Sequence, residues 1–332
     1  MEKHRALMRH AMHMAGTARL RARPNPWVGA VLRCADGSVF EGATQPPGGP
    51  HAEIVALNAA REAGADTTGA LLVTTLEPCS HTGRTGPCTD AIISAGITTV
   101  VSAIPDPDTK VAGSGFARLR AAGIEVVEGT CADEVSEQLR PYLHHRRTNR
   151  PFVLLKMATT LDARTSIPGG PRWITGEDAH RRVHELRAES DAIITGAGTV
   201  RTDDPELTVR HIDGPSPRRI VLSHREVPGG AKVRPCTTWS GELEPLLDQL
   251  GAEGVIQLMV EAGPGVADSF ASRGLVDRYV FHVAPVVTGS PEAPGVFRGR
   301  ATHPLSLGRL VSTTRLGDDI ELIIDPIKET AA

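Results

Sequence analysis

The sequence has few aromatic residues and no long run of apolar residues. Phe, Trp and Tyr make up only 3% of the 332 residues, so any hydrophobic core must rest mainly on Ala, Val, Ile and Leu. No segment approaches the roughly 18 apolar residues of a membrane-spanning helix. Residues 1–5 lead into a polar stretch that lacks the apolar run of a signal peptide. We therefore expect no membrane contact.

The chain also lacks an excess of charge of either sign. It contains 36 Lys and Arg residues against 39 Asp and Glu residues, which gives a formal net charge of −3. Proteins that bind nucleic acids usually need a basic surface that neutralises phosphates. The sequence therefore predicts no nucleic acid partner, although a local pocket for one phosphate group is compatible with this composition.

Cysteine is scarce as well, with five residues at positions 34, 79, 88, 131 and 236. An odd number spread over a long chain argues against a disulfide-stabilised secreted protein. In a reducing compartment, paired cysteines more often bind a metal than form a disulfide. The protein is therefore expected in the cytoplasm.

The length and the order of the elements predict two α/β domains. The chain of 332 residues exceeds the usual size of one domain. Strand-type runs alternate with helical patterns, which favours sheets covered by helices on both faces. Residues 142–151 are polar and end in proline, and we interpret them as a linker. The pattern restarts with a strand at 152–158, so the predicted domains are 1–145 and 150–332.

Two short motifs predict a metal site. His51 and Glu53 stand at the start of one predicted helix, and Cys79 and Cys88 lie around the start of another. One imidazole and two thiolates leave a fourth position on zinc open, as a catalytic site requires. In nucleobase deaminases the glutamate of such a signature moves protons without binding the metal. Each pair alone could be surface polarity or buried thiols, but their joint position favours one zinc per chain.

Longer motifs surround these residues. They are Asn25-Pro26-Trp27-Val28-Gly29, His51-Ala52-Glu53, Thr75-Leu76-Glu77-Pro78-Cys79-Ser80-His81, Gly83-Arg84-Thr85-Gly86-Pro87-Cys88, and Asp106-Pro107 with Val111-Ala112-Gly113. Together they resemble the bifunctional deaminase–reductases of riboflavin biosynthesis. The resemblance implies a cytidine-deaminase-like, three-layer α/β/α first domain. Its substrate would be 2,5-diamino-6-(5-phosphoribosylamino)pyrimidin-4-one, a small molecule.

The resemblance also assigns roles in this first domain. Glu53 would act as general base and then general acid while a zinc-activated water replaces the ring amine. Asn25 would hold the pyrimidine edge, His81 and Arg84 would lie near the ribose phosphate, and Asp106 would contact the substrate. One departure is Thr44, because the family commonly has a histidine at that position.

The second half continues the resemblance. The matching segments are Phe152-Val153-Leu154-Leu155-Lys156-Met157-Ala158, Thr160-Leu161-Asp162, Trp173-Ile174-Thr175, Leu186-Arg187-Ala188, Asp203-Asp204-Pro205, Leu207-Thr208-Val209-Arg210 and Val260-Glu261-Ala262-Gly263-Pro264. They resemble the family's NADPH-dependent reductase, an α/β domain similar in fold to dihydrofolate reductase. The glycine-containing loops 195–199 and 261–265 each follow an apolar strand, where a backbone can approach a phosphate.

The resemblance implies the following site residues in the second domain. Lys156 and Asp203 would be catalytic, and the substrate would contact Pro171, Arg187, Leu207, Arg210 and Glu261. The NADPH contacts would be Thr159, Trp173, Thr199, Asp203, Ser223, His224, Arg225, Gly263, Pro264, Gly265 and Ser269. The corner 223–225 could bind the 2′-phosphate or could be an ordinary polar turn. A second departure is Ala163, which replaces a glycine usual in the family.

Other interpretations remain open at this point. A relative could deaminate a different phosphoribosylated pyrimidine, which Thr44 allows. A nucleic-acid-editing protein conflicts with the net charge, and a structural zinc scaffold would usually have four protein ligands. We also expect a homo-oligomer.

Overall fold

The computed structural model describes residues 2–81, 86–108, 112–297 and 306–327. The chain divides into two compact units between Thr148 and Asn149, and each unit contains one sheet. The described helices are α1 (Glu2–Ala18), α2 (Ala52–Glu62), α3 (Cys88–Ser94), α4 (Ser114–Ala121), α5 (Ala132–Gln138), α6 (Arg140–Thr148), α7 (Glu177–Ala188), α8 (Ala197–Asp203), α9 (Leu243–Ala252) and α10 (Pro264–Ser272). The described strands are β1 (Gly29–Arg33), β2 (Val39–Ala43), β3 (Leu71–Leu76), β4 (Thr99–Ile104), β5 (Glu125–Val127), β6 (Phe152–Thr160), β7 (Ala192–Gly196), β8 (Arg218–Leu222), β9 (Thr237–Trp239), β10 (Gln257–Val260), β11 (Arg278–Ala284), β12 (Arg309–Leu316) and β13 (Asp319–Asp325).

The first unit is a three-layer α/β/α structure with strand order β2-β1-β3-β4-β5. Strand β1 is antiparallel to β2 and β3, whereas β3, β4 and β5 are parallel. Two glycines let helices approach the sheet closely. A Cβ atom on Gly29 would lie 1.8 Å from the carbonyl oxygen of Ala11 in α1, and one on Gly42 would lie 1.9 Å from that of Ala52 in α2. Because Gly42 pairs with Ala30, the residue after Gly29, α1 and α2 cover opposite faces.

The second unit contains an eight-stranded sheet in the order β12-β13-β11-β6-β10-β7-β8-β9. The strands from β11 to β9 run parallel, and the hairpin β12–β13 adds two antiparallel strands at one edge. Both faces of the central strands are apolar. Leu154, Ile193 and Met259 pack with α7 on one face, while the alternate residues Leu155 and Ile194 pack with α9 and α10 on the other. The carboxyl ends of β6, β7 and β10 therefore share one edge, where α/β sheets usually bind ligands.

The predicted linker at 142–151 is wrong over most of its length. Residues 140–148 form α6, and its Tyr142, Leu143 and His145 are buried. The exposed side of this helix is rich in Arg and His, and that polarity masked the helical spacing of the buried residues. Within the described ranges, no helix is both long and apolar enough to span a membrane.

Candidate active sites

Two helix starts bring the predicted metal ligands together. His51 is the residue before α2, with extended backbone (φ −73°, ψ 165°) and a side chain that makes no capping hydrogen bond. Cys88 is the first residue of α3, and its N–H lies 3.4 Å from Sγ of Cys79. The His51 Nδ1 atom is 3.6 Å from Cys79 Sγ and 3.3 Å from Cys88 Sγ. The ligand atoms of all three residues lie within 4.8 Å of one another.

This geometry fits a zinc ion. Zinc bonds of about 2.1 Å to nitrogen and 2.3 Å to sulfur at tetrahedral angles place the two ligand atoms about 3.6 Å apart. Hydrogen bonding with Cys88, together with the His51 imidazole, lowers the pKa of the Cys79 thiol despite its burial. A thiolate at this position is the form that binds metal. The donor set is therefore suited to zinc and contains three of the four ligands of a tetrahedral site.

Glu53 lies beside these ligands in the first turn of α2. Its side chain is almost completely buried, and burial raises its pKa to about 7, against an opposing effect of His51. A carboxyl group with a pKa near neutrality can both accept and return a proton.

A cavity of about 440 Å³ opens onto this cluster. It is lined by six of the residues that sequence motifs pointed to, namely Asn25, His51, Glu53, Cys79, His81 and Asp106. Arg84 lies outside the described residues. Thr44 also lines the cavity. Its hydroxyl accepts a hydrogen bond from the N–H of Val28 at 2.9 Å, so this side chain is fixed to the residue before strand β1.

Sequence reasoning missed Glu77 as a functional residue. Its buried carboxylate accepts hydrogen bonds from the N–H groups of Asp106, Gly113, Gly115 and Phe116, at 2.9–3.3 Å. Glu77 therefore fixes the segment after β4 beside the cysteine segment. The available signal was its place in the motif that leads into Cys79. The cavity also contains Tyr142 and Arg146 from α6, which no motif indicated.

In the second unit, three predicted residues form one group of charges, with Lys156 and Arg187 buried and Glu261 partly buried. Arg187 of α7 makes a bidentate ion pair with Glu261, with distances of 2.9 and 2.7 Å. Burial alone would raise the pKa of Glu261, but Arg187 and, more weakly, Lys156 lower it to about 2. Burial lowers the pKa of the Lys156 ammonium, and Glu261 opposes that effect. Lys156, in the middle of β6, thus lies near the Arg187–Glu261 pair at the end of β10.

The segment 207–210 is attached to this group. Arg187 donates a hydrogen bond to the carbonyl oxygen of Thr208 at 3.1 Å, and Nδ1 of His184 accepts one from the N–H of Arg210 at 3.1 Å. Leu207 is buried and has a left-handed backbone (φ 55°), which is costly for leucine and is typical of functional segments. The structure thus brings Leu207 and Arg210 to Arg187, while Pro171 is exposed.

Two predicted cofactor loops also meet. The N–H of Gly263 donates to Oγ1 of Thr199 at 3.1 Å, which joins the loop after β10 to the helix after β7. Gly263 precedes α10, Pro264 is its first residue, and the Ser269 hydroxyl bonds to the carbonyl oxygen of Gly265. The N-terminus of α10 therefore points into the region between these loops, where it can favour an anion.

The other predicted cofactor residues include Trp173, Asp203 and Thr159. Trp173 is 60% exposed and is not part of the core. Arg172 stacks on Trp173 and donates a hydrogen bond to the carbonyl oxygen of Asp203, the last residue of α8. Thr159 is buried in β6, and its hydroxyl bonds to the carbonyl oxygen of Thr160.

The corner after β8 is a closed polar turn. The hydroxyl of Ser223 accepts a hydrogen bond from the N–H of Arg225 and donates one to its carbonyl oxygen. The side chains of His224 and Arg225 are exposed. This turn presents a cation at the carboxyl edge of the sheet. Ala163, the other departure, occupies a left-handed position (φ 57°), the conformation that favours glycine.

Comparison with known protein families gives each unit a class. Residues 1–104 match the zinc-binding region of cytidine and deoxycytidylate deaminases, and residues 151–322 match the RibD C-terminal domain. The chain therefore combines a zinc-binding deaminase domain with a reductase domain, as a bifunctional enzyme. Both domains have the predicted α/β fold class.

Whole-chain relatives identify the family. The riboflavin biosynthesis protein RibD of Mycobacterium tuberculosis is 39% identical over 85% of this chain and 84% of its own length. RibD of Escherichia coli is 38% identical over 90% of each chain. The structure of Acinetobacter baumannii RibD covers 98% of this chain and 99% of its own, with a TM-score of 0.91 and 34% identity. The chain belongs to the RibD family of riboflavin biosynthesis. These relatives do not favour the alternative of a different pyrimidine pathway.

Proposed function

We propose that this chain converts 2,5-diamino-6-(5-phosphoribosylamino)pyrimidin-4-one in two steps. Water first replaces the ring amine and releases ammonia, and NADPH then reduces the ribosyl group to ribityl. The observation that supports this proposal most strongly is the cluster of His51, Cys79 and Cys88 beside the buried Glu53, at a cavity lined by His51, Glu53 and Cys79. The diaminohydroxyphosphoribosylaminopyrimidine deaminase/5-amino-6-(5-phosphoribosylamino)uracil reductase of Thermotoga maritima has a similar structure. Its TM-score is 0.88, its sequence is 31% identical, and it covers 98% of this chain.

The deaminase residues would divide the work as follows. A zinc ion held by His51, Cys79 and Cys88 would supply a water of lowered pKa. Glu53 would take a proton from this water and return it to the leaving amine, which its raised pKa suits. Asn25 and Asp106 would orient the pyrimidine from the cavity wall.

In the reductase, Lys156 would donate the proton that accompanies hydride transfer. Bound NADPH would supply the hydride to the sugar carbon as its ring opens. Lys156 is suited to this role because burial lowers its pKa and makes the ammonium a better acid. Arg187 and Glu261 would position the substrate, with Leu207, Arg210 and Pro171. The cofactor would lie along Thr199, Asp203 and the 263–269 loop, with the 223–225 corner near its 2′-phosphate.

Metal content tests the deaminase half of this proposal. Purified protein should contain about one zinc per chain, and Cys79→Ala and Cys88→Ala should each lose most of it. Cys236→Ala is the matched control, since Cys236 is a free cysteine of the second unit. Retention of zinc by both site variants, at the level of the control, would refute the ligand assignment.

We also propose that the protein is a cytoplasmic homo-oligomer. All five cysteines are free, which suits a reducing compartment. The edge strand β12 exposes Leu310 and Val311, by 54% and 41% respectively. Unpaired apolar edge strands often pair with another chain. Sedimentation of Leu310→Lys protein, which should show a smaller species than wild type, tests this.

A further inference from the structure

Helix α6 supplies a wall of the deaminase cavity. Tyr142 and Arg146, one helical turn apart, both line the cavity that contains His51, Glu53 and Cys79. Neither residue belongs to the motifs of the zinc site. The cavity therefore has a recognition surface that the zinc signature does not define.

Tyr142 is held in place by Asp106. Its hydroxyl is 3.2 and 3.3 Å from the two carboxylate oxygens of Asp106, and its ring is buried. Burial raises the pKa of Tyr142, so this hydroxyl stays protonated and remains the donor. The ring thus forms a fixed platform.

Arg146 lies on this platform. Its guanidinium carbon is 5.0 Å from the centroid of the Tyr142 ring, a cation–π distance. Its Nε is 3.8 Å from an Asp108 carboxylate oxygen, which is too long for a hydrogen bond. That Nε is buried and has no hydrogen-bond partner among the described residues. The guanidinium is therefore oriented by stacking on Tyr142 and by the nearby Asp108 charge, and within the described part of the chain its Nε donor is left without a hydrogen bond.

The charges of the cavity favour this arginine as an anion site. Among the described lining residues, Arg146 is the only Lys or Arg, whereas Glu53, Glu77, Asp106 and Asp108 are acidic. A phosphorylated ligand brings a further negative charge and needs a cation. Guanidinium groups bind phosphate in a bidentate manner, with strong charge-assisted hydrogen bonds.

We propose that Arg146 binds the phosphate of the phosphoribosyl group and makes the deaminase site selective for phosphorylated over unphosphorylated ribosylamino-pyrimidine. This inference rests on the proposed function and names a specificity residue for it. The motif-based candidate for the same phosphate is Arg84, so the test includes both residues.

The test compares substrate selectivity in zinc-loaded, full-length proteins. The value of kcat/KM is measured for the phosphorylated substrate and for its dephosphorylated counterpart. Arg146→Met should lower kcat/KM for the phosphorylated substrate by about tenfold to a hundredfold and leave kcat/KM for the dephosphorylated substrate nearly unchanged. Arg146→Lys should restore part of the loss. Arg147→Met, an exposed arginine on the same helix, is the matched control and should behave as wild type.

Three outcomes would overturn the proposal. The first is an equal loss of kcat/KM for both substrates in Arg146→Met, and the second is no loss of kcat/KM in that variant. The third is a loss of selectivity in Arg84→Met but not in Arg146→Met. Calorimetric measurement of ribose 5-phosphate binding tests Arg146 without turnover. Arg146→Met should weaken binding at one site. If Arg146→Met and Arg147→Met bind ribose 5-phosphate equally well, the proposal is overturned. If wild type binds ribose 5-phosphate through Arg146 but deaminates neither compound, the proposed function fails while the phosphate site stands.

Discussion

Glu53 is a buried carboxyl group and Glu261 a partly buried one, and their surroundings shift their pKa values in opposite directions. Burial raises the pKa of Glu53 to about 7, and the opposing effect of His51 is smaller. Glu261 has Arg187 and Lys156 beside it, and its pKa falls to about 2. The first carboxyl can exchange protons near neutrality, whereas the second is a permanent anion that can orient a substrate.

Replacement of Glu53 by glutamine should separate proton transfer from metal binding. The amide cannot accept the proton, so Glu53→Gln should keep its zinc and lose deamination by at least about a hundredfold. Ammonia release and metal analysis on the same protein measure both effects. Glu62→Gln, at the exposed end of the same helix, is the control. Near-normal ammonia release from Glu53→Gln would show that another group carries the proton.

The Arg187–Glu261 pair should make the second unit sensitive to acid. Because the folded pKa of Glu261 lies near 2, below its ordinary value of 4.5, the carboxylate stabilises the fold fully above about pH 4.5. This contribution is lost as the pH falls from 4.5 towards 2. The free energy of unfolding of the wild type, measured with denaturant, should therefore fall more steeply between pH 4.5 and pH 2 than at higher pH. Glu261→Gln should have a lower free energy of unfolding than wild type at neutral pH, and that free energy should depend less on pH below 4.5. Glu292→Gln, at an exposed position, should show the same pH dependence as wild type. Parallel curves for Glu261→Gln and wild type would contradict this linkage.

At the scale of elements, the zinc site depends on how closely α2 packs against β2. No side chain can fit at Gly42, where a Cβ would meet the backbone of Ala52. Gly42→Ala should therefore displace the start of α2, with its His51 and Glu53. We expect a loss of about 1–3 kcal/mol in stability, together with weaker zinc retention.

The matched control is Gly16→Ala in α1. A Cβ there has only the side chain of Gln138 nearby, at 3.9 Å. Removing a glycine from a helix should stabilise it by up to about 1 kcal/mol. Thermal unfolding and zinc analysis of both variants measure the difference, and equal stability of the two proteins would contradict the packing argument.

The sequence predicted those elements whose pattern is local. Helix α2 and strand β6 followed from their periodicity, and the clustering of His51, Cys79 and Cys88 followed from motif spacing at helix starts. Helix α6 was missed because its exposed side is polar, and the hairpin β12–β13 because β12 is a mostly exposed edge strand without an apolar run. The contacts of Glu77 and Arg146 join segments that are distant in the sequence, and no spacing in one sequence reveals them.

At the scale of the whole molecule, one chain carries two sites with separate residues. Glu53 and its zinc ligands belong to the first unit, while Lys156, Arg187 and Glu261 belong to the second. The chemistry requires an order, because the reductase substrate is the product of the deaminase. A substitution in one site should therefore abolish one reaction and leave the other intact.

The most direct test is the identity of the products formed from the phosphoribosylamino-pyrimidine. Without NADPH, zinc-loaded protein should release ammonia and yield a product in which oxygen replaces the ring amine. With NADPH, mass spectrometry should find that product with two further hydrogens and an open ribityl chain. Glu53→Gln should fail with the diamino substrate yet still reduce the deaminated one, and Lys156→Ala should do the opposite. Absence of ammonia release by the wild type, or loss of both reactions in either folded variant, would contradict the account.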